Sequence, residues 1–171
     1  TALSSSNFTC TIKSLVWERV KMYLDYADHP GLDAINFFNG KKLPSLRFII
    51  DDCLSQIKET NDHLTFIHGD FCLSNILFDS RLDRIKVIDP RGIDFNGEKT
   101  NQGDLRYDLA KLSHSIIGLY DYIIAGAYDL DYSHDNYTTN YDLKIHIDKR
   151  TEDVQNIFQK YMVNYPLHLR K

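Results

Sequence analysis

The stretch FIHGDFCLSNILFD, residues 66–79, decides how this chain is read. It sets a turn-forming Gly69, together with His68, Asp70 and Asn75, among apolar residues that otherwise have the character of strand. Taken singly, each polar residue has an ordinary explanation. An Asp in a strand-turn is usually a turn former or a helix cap, and a His beside a strand is usually a hydrogen-bonded core residue. The combination carries more. Asn75 stands five residues after Asp70, and a second carboxylate, Asp89, closes the run IKVID at 85–89.

Outward from this stretch, LTFIH (64–68), NILFD (75–79) and IKVID (85–89) are short β-branched or aromatic runs divided by turn residues. The second and third form a hairpin closed around SRLDR. Asn75 and Asp89 then sit at strand edges, where side chains converge on one point. Phosphoryl transfer to a hydroxyl needs a carboxylate to orient and deprotonate the attacking oxygen, and metal-binding oxygens to hold charged phosphates in line. An Asn amide oxygen and an Asp carboxylate are the hard ligands that Mg²⁺ prefers.

The flanking chain reads as follows. IKSLVWERVKMYLDYA (12–27) has Leu15, Val16, Arg19, Val20, Tyr23 and Leu24 at amphipathic helical spacing, stopped by DHPG at 28–31. FFNGKKLPS (37–45) reads as a loop. A second helix follows, with Pro44 in its first turn and Leu46, Ile49, Ile50, Cys53, Leu54 and Ile57 on one apolar face. DLAKLSHSIIGLYDYIIAGAY (108–128) reads as one buried helix. YDLDYSHDNYTTNYDLKIHI (128–147) reads as a strand pair with a polar connector. KRTEDVQNIFQKYMVNY (149–165) reads as a closing helix, with Val154, Ile157, Phe158, Tyr161 and Met162 inward.

Composition sets limits on this picture. The chain has 171 residues, is 43% hydrophobic and lacks a run of about 18 apolar residues, so it reads as one soluble domain without a membrane span. Net charge is −4 with the basic residues scattered, which argues against nucleic acid as a partner. Cys10, Cys53 and Cys72 have no CxxC or zinc spacing, and a reducing, cytoplasmic setting fits them. TALSSSNFTC has neither the basic start nor the apolar core of a signal peptide, and a first residue other than Met reads as a chain cut from something longer.

His68-Gly69-Asp70, Asn75-Ile76-Leu77, Ile88-Asp89-Pro90, Gly103-Asp104 and Asp108-Leu109-Ala110 occur in an order that resembles the aminoglycoside phosphotransferase and choline kinase family, small-molecule kinases with a protein-kinase-like fold. IDP followed by GDLRYDLAKL is especially similar to its fructosamine kinase and methylthioribose kinase branch. The resemblance implies Asp70 as catalytic base, Asn75 and Asp89 as magnesium ligands, and His68 as a scaffold of the catalytic loop. It implies that Asp108 accepts backbone N–H bonds and braces that loop; an ordinary N-cap is the alternative. It implies ATP and Mg²⁺ as cofactors and a small-molecule hydroxyl as acceptor.

Three departures qualify the resemblance. PRGIDFNGEKTNQGDLRY, 18 residues between Asp89 and Asp108, reads as an inserted loop, with Arg91 and Asp94 the nearest candidates for substrate contacts. Residues 1 to 60 read helical and hold no Gly-rich phosphate loop or VAIK-like strand, so the N-terminal nucleotide lobe is absent from this chain. Cys72 lies in the catalytic loop without a neighbouring cation and reads as a small buried filler. The fold expected is therefore α+β, mainly helical, a single domain over 1–171 that forms the C-terminal (large) lobe of a protein-kinase-like fold, with its missing N-terminal lobe as partner. The Tyr and Asp residues of 128–142 read as an acidic aromatic surface that suits a cationic or sugar-like ligand, and equally as a solvated strand pair. The rival readings are a non-catalytic ligand-binding module of the same fold and a metal-dependent phosphohydrolase using His68, Asp70 and Asp89.

Overall fold

The computed structural model describes residues 16–25, 32–57, 64–94, 97–135 and 138–164. They fall into two compact units. Five helices and eight strands occur among the described residues, so the chain is α+β with a larger β share than the sequence reading gives it.

The first unit holds residues 16–25, 32–57 and the described part of 128–144. Its helix α1 covers 16–25, with Val16, Val20 and Leu24 half-buried and Arg19 and Tyr23 exposed, a narrower face than the one read from sequence; Leu15 and the stop at 28–31 lie outside the described residues. Strands β1 (Ile35–Phe38) and β2 (Lys41–Leu43) form an antiparallel hairpin where the sequence reading has a loop. Asn39 and Gly40, at φ 48° and 74°, make the two-residue turn. Asn and Gly are the residues that accept this left-handed geometry, and its twist matches that of the flanking strands. Lys41 and Lys42 carry little strand propensity, so the turn and the pairing make β2 a strand.

Helix α2 (Leu46–Gln56) is capped by Ser45, whose hydroxyl accepts from Phe48 N at 3.2 Å. Pro44 therefore precedes the cap and does not lie in the first turn. The inward stripe is Leu46, Ile50 and Leu54, and Ile49 and Cys53 are exposed, a narrower face than the one read from sequence.

Strands β7 (Tyr128–His134) and β8 (Thr138–Ile145) complete a four-stranded sheet of order β2-β1-β8-β7. β1 and β8 run parallel. Asn39 extends this pairing with its side chain, donating from Nδ2 to Leu143 O at 3.0 Å and accepting from Leu143 N at 2.8 Å.

The second unit spans Asn61–Ala127 and Ile145–Arg170. β3 (Leu64–Phe66) pairs antiparallel with β6 (Gln102–Asp104), so the second half of the stretch read as an inserted loop returns as a strand. β4 (Ile76–Asp79) and β5 (Arg84–Val87) form the expected hairpin, in the register Ile76↔Val87. The helix read from Asp108 onward is two helices. α3 (Leu105–Ile116) starts three residues earlier, capped by Asp104, and α4 (Tyr120–Ile124) follows a break at Leu119, whose φ is 53°. Ile117 N and Gly118 N both donate to Ser113 O, which closes α3 before the chain turns.

α5 (Lys149–Asn164) lies inward through Thr151, Gln155, Phe158 and Met162. Thr151 Oγ1 bonds the Tyr122 hydroxyl, and Gln155 Nε2 donates to Ile116 O at 2.9 Å. This corrects the inward face read from sequence, since Val154, Ile157 and Tyr161 are exposed, Tyr161 at 69%. The apolar periodicity holds, but two polar side chains with partners on α4 and α3 fix the rotation of the helix.

Asn39→Ala deletes two hydrogen bonds to β8 and leaves Ala in a left-handed conformation. Its expected cost is about 1–2 kcal/mol in a urea titration of the protein.

Candidate active site

The loop leaving β3 is shaped by backbone bonds before any side chain acts. Ile67 N donates to Asn101 O at 2.9 Å, and Arg91 N donates to His68 O at 2.9 Å. Gly69 has φ 78°, and a Cβ there would stand 2.9 Å from Arg91 Cβ. Both the sign of φ and the close approach of Arg91 require glycine between His68 and Asp70. Cys72 N then donates to Asp70 O, and Asn75 N to Cys72 O, both at 3.0 Å, winding the short 3₁₀ turn Leu73–Asn75.

One helix face holds this loop. Asp108 accepts from His68 N through Oδ2 at 2.7 Å and from Gly69 N through Oδ1 at 2.8 Å. Ser115 Oγ accepts from Leu73 N at 3.1 Å and donates to Asp121 Oδ2. Between them, Lys111 Nζ lies 2.8 Å from Asp70 Oδ1. Positions 108, 111 and 115 are i, i+3 and i+7 of α3 and so share a face. Asp108 is the fourth residue of α3, and the cap is Asp104, buried and ion-paired with Arg106.

The β4–β5 hairpin brings in the remaining residues. Ile88 N donates to Asn75 O at 3.0 Å, extending the ladder by one pair beyond Ile76↔Val87. Ile88 O accepts from His68 Nε2 at 2.9 Å. A carbonyl oxygen only accepts, so Nε2 carries the proton. Fixed on both sides of Ile88, the chain enters Asp89 at φ 59°, a left-handed conformation that Asp tolerates better than most residues.

Asn75 Nδ2 donates to Asp70 O at 2.9 Å and to Asp70 Oδ2 at 3.3 Å. Its amide oxygen is therefore directed away from Asp70. Among the described residues neither Asn75 Oδ1 nor the Asp89 carboxylate has a hydrogen-bond or ionic partner. They are two uncommitted hard oxygen ligands one residue apart across a hairpin, a donor set that fits magnesium holding several waters of its own. No group of three or more His, Cys, Asp or Glu side chains placed to hold a metal occurs among the described residues. His68 spends Nε2 on Ile88, which leaves the phosphohydrolase reading without its His ligand at that nitrogen.

Electrostatics separate Asp70 from an ordinary surface carboxylate. The Lys111 hydrogen bond, opposed by partial burial and aided by the charges of Lys111 and Arg91, holds its pKa below the usual carboxylate value. Asp70 in turn raises the pKa of Lys111. The base candidate is thus an ionised carboxylate at neutral pH.

The structure brings His68, Asp70, Asn75, Asp89 and Asp108 together, with the Arg91 backbone against His68 and its guanidinium 5.5 Å above the Tyr107 ring. Asp94 does something else. Its Oδ1 accepts from Glu98 N at 2.9 Å and its backbone pairs with Glu98 and Gly97, so it builds its own turn. Cys72 is buried against Asp70 O and Ser74 Oγ, as a filler. Tyr132 stacks with His134 and Tyr141 in the first unit. Lys111 and Ser115 escaped the sequence reading, although polar residues at i+3 and i+7 from Asp108, on the same helix face, are the signal that marks them.

The Asp70 carboxylate is held by Lys111 and Asn75, and Asp89 follows Ile88, the residue that pairs with Asn75 across the hairpin. The model of the phosphotransferase enzyme family, APH, matches residues 17–138, and the chain belongs to this family of aminoglycoside phosphotransferases and choline kinases. Membership implies a protein-kinase-like fold and a kinase-type enzyme. Comparison with curated proteins and with solved structures finds no match. No helix among the described residues is long and apolar enough to cross a membrane.

Asp108→Ala strands two amide donors, Gly69's buried and His68's half-buried, and removes two charge-assisted bonds. Its expected cost is roughly 2–4 kcal/mol of stability, with the His68 and Gly69 amides losing protection in hydrogen exchange before those of β4.

Proposed function

We propose that this chain is the catalytic, C-terminal lobe of a Mg-dependent kinase that moves the γ-phosphate of ATP to a hydroxyl of a small metabolite, in the class of sugars, amino-sugars, polyols or choline-like alcohols. The nucleotide lobe of such an enzyme lies outside this chain on this reading, and the setting is cytoplasmic, where ATP and reduced thiols coexist. The observation that carries the proposal is the ionised Asp70 carboxylate, fixed by Lys111 and Asn75 in a loop whose Asn75 pairs through its backbone with Ile88, the neighbour of Asp89.

Each residue then has a role set by its surroundings. Asp70 orients the acceptor hydroxyl and takes its proton as the acceptor oxygen bonds to phosphorus, while the bond to the β–γ bridging oxygen breaks and ADP departs. A base of low pKa suits a loose transition state, in which the proton leaves late and orientation dominates. Asn75 Oδ1 and Asp89 would hold magnesium, which supplies charge neutralisation for the donor phosphates. His68 and Asp108 keep the loop in place without touching reactants.

Asp70→Asn in the full-length protein is expected to lower turnover about 10²–10⁴-fold with little change in the unfolding midpoint. The assay is ADP release with Mg-ATP across sugars, amino-sugars, polyols and choline. Near wild-type activity in the variant removes Asp70 as the base.

A further inference from the structure

We infer that Lys111 is a positioning residue for phosphoryl transfer, acting through Asp70; this rests on the kinase reading of Asp70 given above. The Asp70 carboxylate is held at both oxygens, Oδ1 by Lys111 Nζ at 2.8 Å and Oδ2 by Asn75 Nδ2 at 3.3 Å. Two donors on different elements fix the plane of the carboxylate and leave its outward lone pairs for a hydroxyl. Asn75 belongs to the loop itself and moves with it. Lys111 belongs to α3, the helix whose Asp108 and Ser115 anchor the same loop, so the carboxylate is referenced to the frame that sets the backbone.

The pair has the exposure of a working contact. Lys111 and Asp70 side chains are 28% and 35% exposed, whereas Asp108 and Ser115 are buried. An ion pair this open contributes little to stability, so its geometry matters more than its energy. Asp70 is the one ion-pair partner of Lys111 among the described residues. The other charged or titratable groups around the pair are assigned elsewhere. Arg91 stacks on Tyr107, Asp108 is spent on loop amides, and the Cys72 thiol faces Asp70 O and Ser74. An ammonium offers three donors, and Asp70 uses one. The catalytic loop has no cation between Asp70 and Asn75, so the ammonium that contacts the base comes from the helix, with the Arg91 charge acting from farther off.

The test uses the full-length protein and steady-state ADP release, with the panel compound that gives the highest turnover. Lys111→Met is expected to lower kcat roughly 100-fold, the scale of a small misplacement of a reacting group, with KM for ATP and the unfolding midpoint near wild type. Lys111→Arg, which keeps a cation on that face, is expected to recover at least about a tenth of wild-type kcat. In the Asp70→Asn background, Lys111→Met is expected to cost less than about threefold, because its partner is already gone. A Lys111→Met protein with wild-type kcat, or costs that multiply in the double variant, overturns the role of Lys111 while leaving the kinase reading intact. A folded wild-type protein that turns over no acceptor overturns the kinase reading, and the inference with it.

Discussion

Everything at the site hangs on the carboxylate of Asp108 receiving the amides of His68 and Gly69. A buried carboxylate must find donors, and two consecutive amides turned away from water must find an acceptor; each solves the other's problem. The bond pair also decides direction. With Gly69 left-handed and both amides turned toward α3, the next residue, Asp70, faces Lys111, and the chain is committed to the tight turn that ends at Asn75. His68, whose amide is held from one side, reaches with its ring to Ile88 on the other. The loop is therefore a strap between a helix and a hairpin, tensioned at one residue.

The balance of burial is consistent with this. Among the described residues the buried apolar side chains are few, namely Leu54, Cys72 and Ile116, while Asp104, Asp108 and Ser115 are buried polar groups with partners in the second unit. Hydrophobic burial is non-directional and tolerates small shifts, whereas a hydrogen bond to a fixed amide does not. A site whose chemistry depends on the placement of one carboxylate is better served by the second kind of contact. Ser115 shows the economy of the design, since one hydroxyl joins loop, α3 and α4.

The sequence made the β4–β5 hairpin and the closing helix legible, because each depends on local periodicity and on turn residues a few positions away. What escaped depends on partners distant in the chain. β6 is three residues, Gln-Gly-Asp, with no strand character of its own; it exists because β3 offers it a ladder. The β1–β2 hairpin had its Asn-Gly signal in view, but two lysines masked the second strand. The break at Leu119 lies in a run apolar enough to read as continuous helix. Lys111 was hidden for a different reason: its meaning lies in which face of α3 it shares with Asp108, and that follows only once Asp108, rather than serving as a cap, is placed inside the helix.

The left-handed backbone at Asp89 has a consequence for which substitutions the position can bear. The backbone demands a residue that accepts positive φ, and the magnesium role proposed for Asp89 demands a negative oxygen; no other residue meets both. Asn and Gly accept the conformation and lose the charge, while Glu keeps the charge and resists the conformation. Saturation of this codon would thus split into two families of defect, one that leaves the hairpin end undisturbed and one that distorts it. The residue's tolerance profile is a direct reading of how much of its role is shape and how much is charge.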